Sequence, residues 1–207
     1  MLRLIAFLAV LLLPLEQGRA ADRDYYGPDG GLLVYSAGSI TGPMNFAFRY
    51  RRVSDAAGAA TLDWGGTIGC GCVGLIRAQA GGSDYSGRET GKVHIRRLPP
   101  GDYEVFNFGF GGSIGASVVT TSSARPFSIP FTIRSGEAVY IGNFARAPSL
   151  GTPLRPTLGA RGFFVISNKS ERDLAIARQR RPDLPNVTIA VTDVSAWGHP
   201  MLRVDEP

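Results

Sequence analysis

The sequence predicts an all-β chain: an antiparallel β-sandwich with one short helix, at about residues 170–181, near the C-terminus. Three observations carry this. The first is the stretch 98–144, LPPGDYEVFNFGFGGSIGASVVTTSSARPFSIPFTIRSGEAVYIGNF. A Pro-Pro-Gly turn leads into a strand, a Gly-rich interruption follows, and two further strands are joined at Ser135 and Gly136 as a hairpin. The second is the alternation inside it. Phe127, Ile129, Phe131 and Ile133 fall on one face and small or polar groups on the other, the pattern of a strand with one face buried and one wet. Pro130 falls on the wet face and lacks an N–H, which favours an edge strand or a bulge. The third is composition. Among 207 residues there are 27 Gly and 14 Pro, alongside many β-branched and aromatic side chains, which suits many strands and many turns.

The chain opens with Met1, Leu2 and Arg3, an apolar run over residues 4–13, then Gly18, Arg19 and Ala20. A basic start, a short apolar core and small residues before Ala21 are the parts of a secretory signal peptide, residues 1–20. The run is about half the ~20 residues needed to cross a bilayer. No further long apolar segment follows, so no transmembrane anchor is expected after cleavage, and the location expected is periplasmic or secreted. Residues 21–31 form a loose N-terminal segment, 32–192 a single β-sandwich domain and 193–207 a C-terminal tail without a predicted element.

Within the domain, strands are expected at 32–36, 44–53, 92–98, 102–108, 127–134, 137–144, 163–167 and 186–191. Val105 and Phe106 break a strict period of two in the 102–108 strand. Trp64 is a core anchor, and residues 73–77 form a further strand. Residues 79–91 form a polar, Gly-rich loop whose composition makes it a candidate binding loop. Residues 145–159 form a Pro-rich connection. For the helix, Ser170 is the expected N-cap with Asp173 three residues on, a capping-box variant. Glu171 and Asp173 sit at its positive end and Arg178, Arg180 and Arg181 at its negative end. Pro182 stops it, and Leu174, Ala177 and Ile176 face the sheet.

The segment from Leu98 through Pro100, Gly101 and Tyr103, together with FTIRSGEAVYIG at 131–142, resembles a pattern of Ig-like and prealbumin-like sandwiches, including carboxypeptidase-regulatory-type modules. There a Pro-Gly turn enters one strand, a Tyr hydroxyl ties the corner to nearby backbone, and a Gly-containing hairpin closes the sheet. The resemblance implies a secreted bacterial β-sandwich protein and brings no catalytic residues with it.

Four constellations bear on chemistry. Cys70 and Cys72 flank Gly71. In an oxidising compartment they suggest a disulfide, although two residues apart on a strand they stand about 6–7 Å from each other, wider than a bridge accepts. Free buried thiols, a strained redox-active bridge or a soft Cu(I) site are the alternatives. Gly111, Ser113 and Gly115 match the G-x-S-x-G elbow, with Asp193 and His199 following in hydrolase order. A β-favouring run comes after Ser113 where a helix is required, and a chain with 27 glycines yields such matches by chance. His94 and His199 are the only histidines, expected on a strand surface and in the tail. Asp22, Asp24 and Asp29 lack the spacing of an EF-hand loop. Tyr103, Phe106, Phe108 and Phe110 are core residues by alternation, with a ligand face as the alternative. Sequons stand at Asn168 and Asn186.

The formal charge is +5, with the arginines scattered rather than striped, which argues against a nucleic-acid partner. The function expected is a secreted, non-enzymatic binding or envelope-interaction module for a protein, glycan or envelope component, without a required cofactor. A copper-binding or thiol-redox accessory protein using Cys70 and Cys72 is the alternative, and a serine hydrolase using Ser113 a second.

Overall fold

In the computed structural model the described residues are 25–40, 45–55, 61–63, 82–114, 117–122, 125–148 and 162–204. The signal-peptide stretch, Asp22, Asp24, Trp64, Cys70, Cys72, the 73–77 strand and most of the Pro-rich connection lie outside them.

The chain is mostly β, in two sheets, with one helix. The strands are β1 (Gly31–Ser39), β2 (Asn45–Arg52), β3 (Thr61–Asp63), β4 (Thr90–Leu98), β5 (Gly101–Ile114), β6 (Ser117–Ser122), β7 (Ile129–Ile133), β8 (Ala138–Pro148), β9 (Gly162–Ser167), β10 (Val187–Ile189) and β11 (Leu202–Val204); α1 spans Ser170–Arg180. One sheet runs β11-β9-β8-β1-β4, with β10 also paired to β8. The other runs β3-β2-β5-β6, with β7 also paired to β5.

The first sheet is mixed, which corrects the wholly antiparallel expectation. β1 runs parallel to β8, β10 to β8 and β11 to β9. The reason is visible in burial. Every residue of β1 is buried, as is β8 from Ala138 to Ala147. Such strands need cover on both faces, the condition under which parallel pairs occur. One face joins a large apolar cluster containing Leu33, Tyr35, Ile141, Phe144 and Phe164 from this sheet and Tyr103, Val105, Phe108, Ile129 and Phe131 from the other. The opposite face meets α1 through Val34, Val93, Tyr140, Leu174 and Ala177.

The hairpin at Ser135 and Gly136 is also corrected. β7 pairs with β5 in one sheet and β8 with β1, β9 and β10 in the other, so the turn carries the chain between sheets. Gly136 takes a left-handed φ of 70°, and the Glu137 N–H closes the turn on the Arg134 carbonyl at 3.2 Å. β7 keeps its alternation, with Pro130 and Thr132 exposed between buried neighbours. The Gly-rich interruption at 109–112 is continuous strand within β5. The broken period at Val105 and Phe106 is a β-bulge, where pairing steps from Arg49–Asn107 to Tyr50–Val105. The extra residue lets Val105 and Phe108 both face inward.

Two further differences lie near the C-terminus. Residues 195–197 form a short 3-10 turn and β11 adds a strand beyond it, where periodicity predicts no element. Ser170 is the first helical residue rather than the cap. The cap position is Lys169, which makes no side-chain cap bond. Asn168 Oδ1 accepts from the Ser170 N–H at 3.0 Å instead. Leu174 and Ala177 are buried against the sheet as expected, and Ile176 is half-buried there.

Candidate functional site

The helix-facing side of the mixed sheet holds the largest group of buried polar side chains in the described residues. A second bulge builds it. β1 and β8 pair Val34 with Tyr140 and then Ser36 with Asn143, so Ile141 and Gly142 together oppose Tyr35. Gly142 takes φ 122°. Residues three apart on a regular strand point to opposite faces. The bulge turns Tyr140 and Asn143 to the same face, under α1, and sends Ile141 and Phe144 together into the large core.

Asp173 comes down onto this face with no exposed surface. Its Oδ2 accepts from Tyr140 Oη at 2.6 Å and lies 2.5 Å from Ser36 Oγ. Its Oδ1 is ion-paired to Arg172 Nε at 2.7 Å. Ser36 Oγ also lies 2.7 Å from Asn143 Oδ1, and its single proton serves one acceptor at a time. Asn143 Nδ2 donates to Glu89 Oε2 at 3.0 Å and reaches Ser167 Oγ at 3.3 Å. Tyr85 Oη donates to Glu89 Oε1 at 2.9 Å. The Arg172 guanidinium lies 3.6 Å above the Tyr85 ring, and its Nη2 reaches Ser36 Oγ at 3.3 Å and Asn143 Oδ1 at 3.4 Å.

The electrostatics follow. Burial, then the Asp173 charge, pushes the Tyr140 phenol well above the ordinary value of 10.0. Burial and the Glu89 charge do the same to Tyr85, against the opposing pull of Arg172. Burial draws Arg172 down, but the hydrogen bond and charge of Asp173 outweigh it and hold the guanidinium above its ordinary value. Both phenols therefore stay neutral donors and Arg172 a fixed cation.

This network forms the back of a cleft of about 270 Å³. Its apolar side is Ile40, Ala145 and Val165; its polar side includes Tyr85, Arg88, Glu89, Ser167, Lys169 and Arg172. The 79–91 loop thus supplies Tyr85, Arg88 and Glu89. Asp84 anchors its base: Asp84 Oδ2 accepts from the Val93 N–H at 2.7 Å and Oδ1 pairs with Arg180. A larger groove of about 400 Å³ lies between β7 and the β8–β10 edge, lined mainly by apolar groups such as Leu32, Phe131, Ile133 and Val139.

The residues singled out from sequence lie elsewhere. The Tyr103 hydroxyl donates to the Pro99 carbonyl at 2.8 Å, and Arg52 reaches the Pro100 carbonyl across Gly101. Tyr103 and Phe108 are buried. Phe106 is half-buried beneath Arg51, whose guanidinium carbon is 4.6 Å from the ring centre. Ser113 sits inside β5, in register with Val118 of β6, so a strand follows it rather than the helix of a nucleophile elbow. Asp193 Oδ1 accepts from the Ser195 N–H at 2.8 Å. His199 is buried rather than a loose tail residue. Its Nδ1 accepts from the Met201 N–H at 3.2 Å, which assigns the proton to Nε2, 3.1 Å from the Arg125 carbonyl. His94 stacks on Tyr35 with ring centres 4.8 Å apart. Asp29 Oδ1 accepts from Tyr25 Oη at 2.7 Å. Asn168 and Asn186 are exposed. Among the described residues no group of three or more His, Cys, Asp or Glu could hold a metal ion, and no helix is long and apolar enough to cross a membrane.

Sequence reasoning missed Asp173, Ser36, Tyr140 and Asn143 as a unit. One signal was present. Ser170, Asp173, Leu174 and Ala177 stand at i, i+3, i+4 and i+7, so the carboxylate lies on the same helix stripe as the buried Leu and Ala.

Comparison of the chain with protein-family models, with curated proteins and with solved structures returns no match.

Proposed function

We propose that the chain is an exported, non-enzymatic binding module that holds a small ligand, free or as part of an envelope glycan or protein, in the cleft beside α1. Its two sheets pack face to face as a sandwich of the Ig-like or prealbumin-like kind, and the sheet covered by α1 carries the site. The observation behind this reading is the cleft itself. A concave site with an apolar side and a few convergent polar groups is the usual form of a ligand pocket. Here the polar groups are backed by a carboxylate, two hydroxyls and an amide held in place by two strands and a helix. A supported constellation of that kind keeps its geometry without a ligand, so little ordering entropy is lost on binding. The arrangement offers donors and shape, which suits binding; among the described residues no nucleophile paired with a base stands at the cleft wall.

The export half of the reading is tested by intact mass. Protein recovered from the periplasm or medium begins at Ala21; a chain still carrying residues 1–20 removes that half. The binding half is tested by thermal unfolding of the mature chain against a panel of glycan, peptidoglycan and small-acid fragments. A ligand at about 100 times its Kd stabilises by roughly 2.7 kcal/mol, a Tm rise of about 5–11 °C for a chain of this size. Ser86, exposed at the cleft mouth, gives the control: Ser86→Trp fills the opening and abolishes the rise. A panel without effect at millimolar concentrations, or an equal rise in Ser86→Trp, overturns the proposal.

A further inference from the structure

We infer that the cleft beside α1 takes a small, singly charged carboxylate carrying a compact apolar or sugar body. The inference rests on the binding-module reading and names the ligand class for that site. Arg172 leads the argument. Its Nε is committed to Asp173 Oδ1, its Nη2 contacts Ser36 and Asn143, and its plane rests on Tyr85. Nη1 has no hydrogen-bond partner among the described residues, and the side chain keeps 31% of its surface exposed while lining the cleft. A guanidinium pinned on three sides presents its remaining N–H groups in a fixed direction and needs no further ordering to meet an oxyanion.

Charge sets the valence. Arg88, Lys169 and Arg172 line the cleft with Glu89, and Asp173 stands directly behind Arg172. Among the described residues around the cleft, three cations stand against two carboxylates, a surplus of one positive charge. A monoanion matches that surplus. A phosphate dianion exceeds it and meets the Glu89 carboxylate, which is held in place by Tyr85 and Asn143. A neutral guest can accept a hydrogen bond from the Arg172 edge but leaves the surplus charge uncompensated. The apolar side made by Ile40, Ala145 and Val165 suits the body of the ligand, and about 270 Å³ suits a monosaccharide acid or a short-chain acid rather than an oligomer. The source of the carboxylate, a free acid or a uronic acid within a glycan, is separated by the experiment.

The test is a titration of the isotope-labelled mature chain with galacturonate, galactose, butyrate and inorganic phosphate, read by amide and arginine-side-chain NMR shifts. Saturable shifts at Ser167, Lys169 and the Arg172 side chain with galacturonate or butyrate are expected, with weaker or no response to galactose and phosphate. Galacturonate alone points to a glycan source; butyrate alone points to a free acid. Arg88→Gln combined with Lys169→Gln, neither buried in the core, is expected to weaken binding at least 5-fold with the fold intact. Arg172→Lys removes the planar fork and is expected to weaken it at least as much. Phosphate or galactose shifting these resonances while the carboxylates do not overturns the ligand class and leaves the binding module standing. No saturable shift with any probe overturns both. Carboxylate shifts unchanged in the double variant overturn the cationic site.

Discussion

Asp173 is a carboxylate without exposed surface, and three donors, Tyr140, Ser36 and Arg172, converge on it. A buried carboxylate is tolerated only with such partners. Removing one partner leaves the others intact but strips a hydrogen bond to a charged group, worth about 1.5–3 kcal/mol. Tyr140→Phe is therefore expected to lower the unfolding free energy by about that amount in urea denaturation, with no change in far-ultraviolet circular dichroism. The same residue sets a pH dependence. The Tyr140 and Tyr85 phenols are raised above 10.0 in the folded chain, so the folded state keeps a proton that the unfolded chain releases. Their stabilisation is full below pH 10 and declines as pH rises past it. Denaturation midpoints measured between pH 8 and 11 should fall above 10, and less steeply in Tyr140→Phe. A flat profile in the wild type means that these phenols ionise alike in both states.

At the scale of elements, the β8 bulge and α1 make the site together. Gly142 holds φ 122°, where an added Cβ would come within 3.4 Å of the Ser167 carbonyl and Val191. Gly142→Ala should cost about 1–3 kcal/mol and disturb Tyr140 and Asn143 together, seen as shifts at both amides. α1 is attached through a small apolar contact as well as Asp173. Leu174→Ala should cost about 2–5 kcal/mol, toward the low end because the helix lies at the surface. Hydrogen exchange should then quicken in α1 while β5 keeps its protection. These two elements also mark how far the sequence could be read. The alternation of β7 was legible because one face is wet, and the break at Val105 and Phe106 is a bulge written into the pattern. The turn at Ser135 and Gly136 was not, since the same turn chemistry serves a hairpin or a crossing between sheets. What separates the cases is the next strand: AVYIGNFA is apolar almost throughout, the mark of a strand covered on both faces. The helix span was legible from Ser170 and Pro182. Asp173 was not, because a carboxylate in a first helical turn reads as a cap unless its phase with Leu174 and Ala177 is weighed. Ser36 and Asn143 carried no local signal, as their partners stand 137 and 54 residues away in sequence.

For the molecule as a whole, the question is whether the two sheets are one cooperative unit. Phe108 of β5 is the side chain on which this turns. It has no exposed surface; its ring centre lies 4.2 Å from that of Phe164 and 6.3 Å from that of Phe144, both in the opposite sheet. It also stacks on Phe127 at 4.8 Å. Truncating a buried Phe to Ala costs about 3–5 kcal/mol, the larger part when surrounding groups cannot close the cavity. Here the void would be walled by Phe144 and Phe164, each fixed by its own strand pairing, and by Phe127 just before β7, so collapse is restricted. If the shared cluster joins the sheets, Phe108→Ala should lower the exchange protection of Val105 in its own sheet and of Tyr140 in the other by the same free energy, in one transition. If protection falls at Val105 alone, the sheets open separately and face-to-face packing is not what holds them. Comparison with Leu174→Ala sharpens the reading, because that change should spare β5. A single transition lost to Phe108 and a local one lost to Leu174 would describe a two-sheet core with a helix fastened to it, and would place the cleft between the part that is rigid and the part that can loosen.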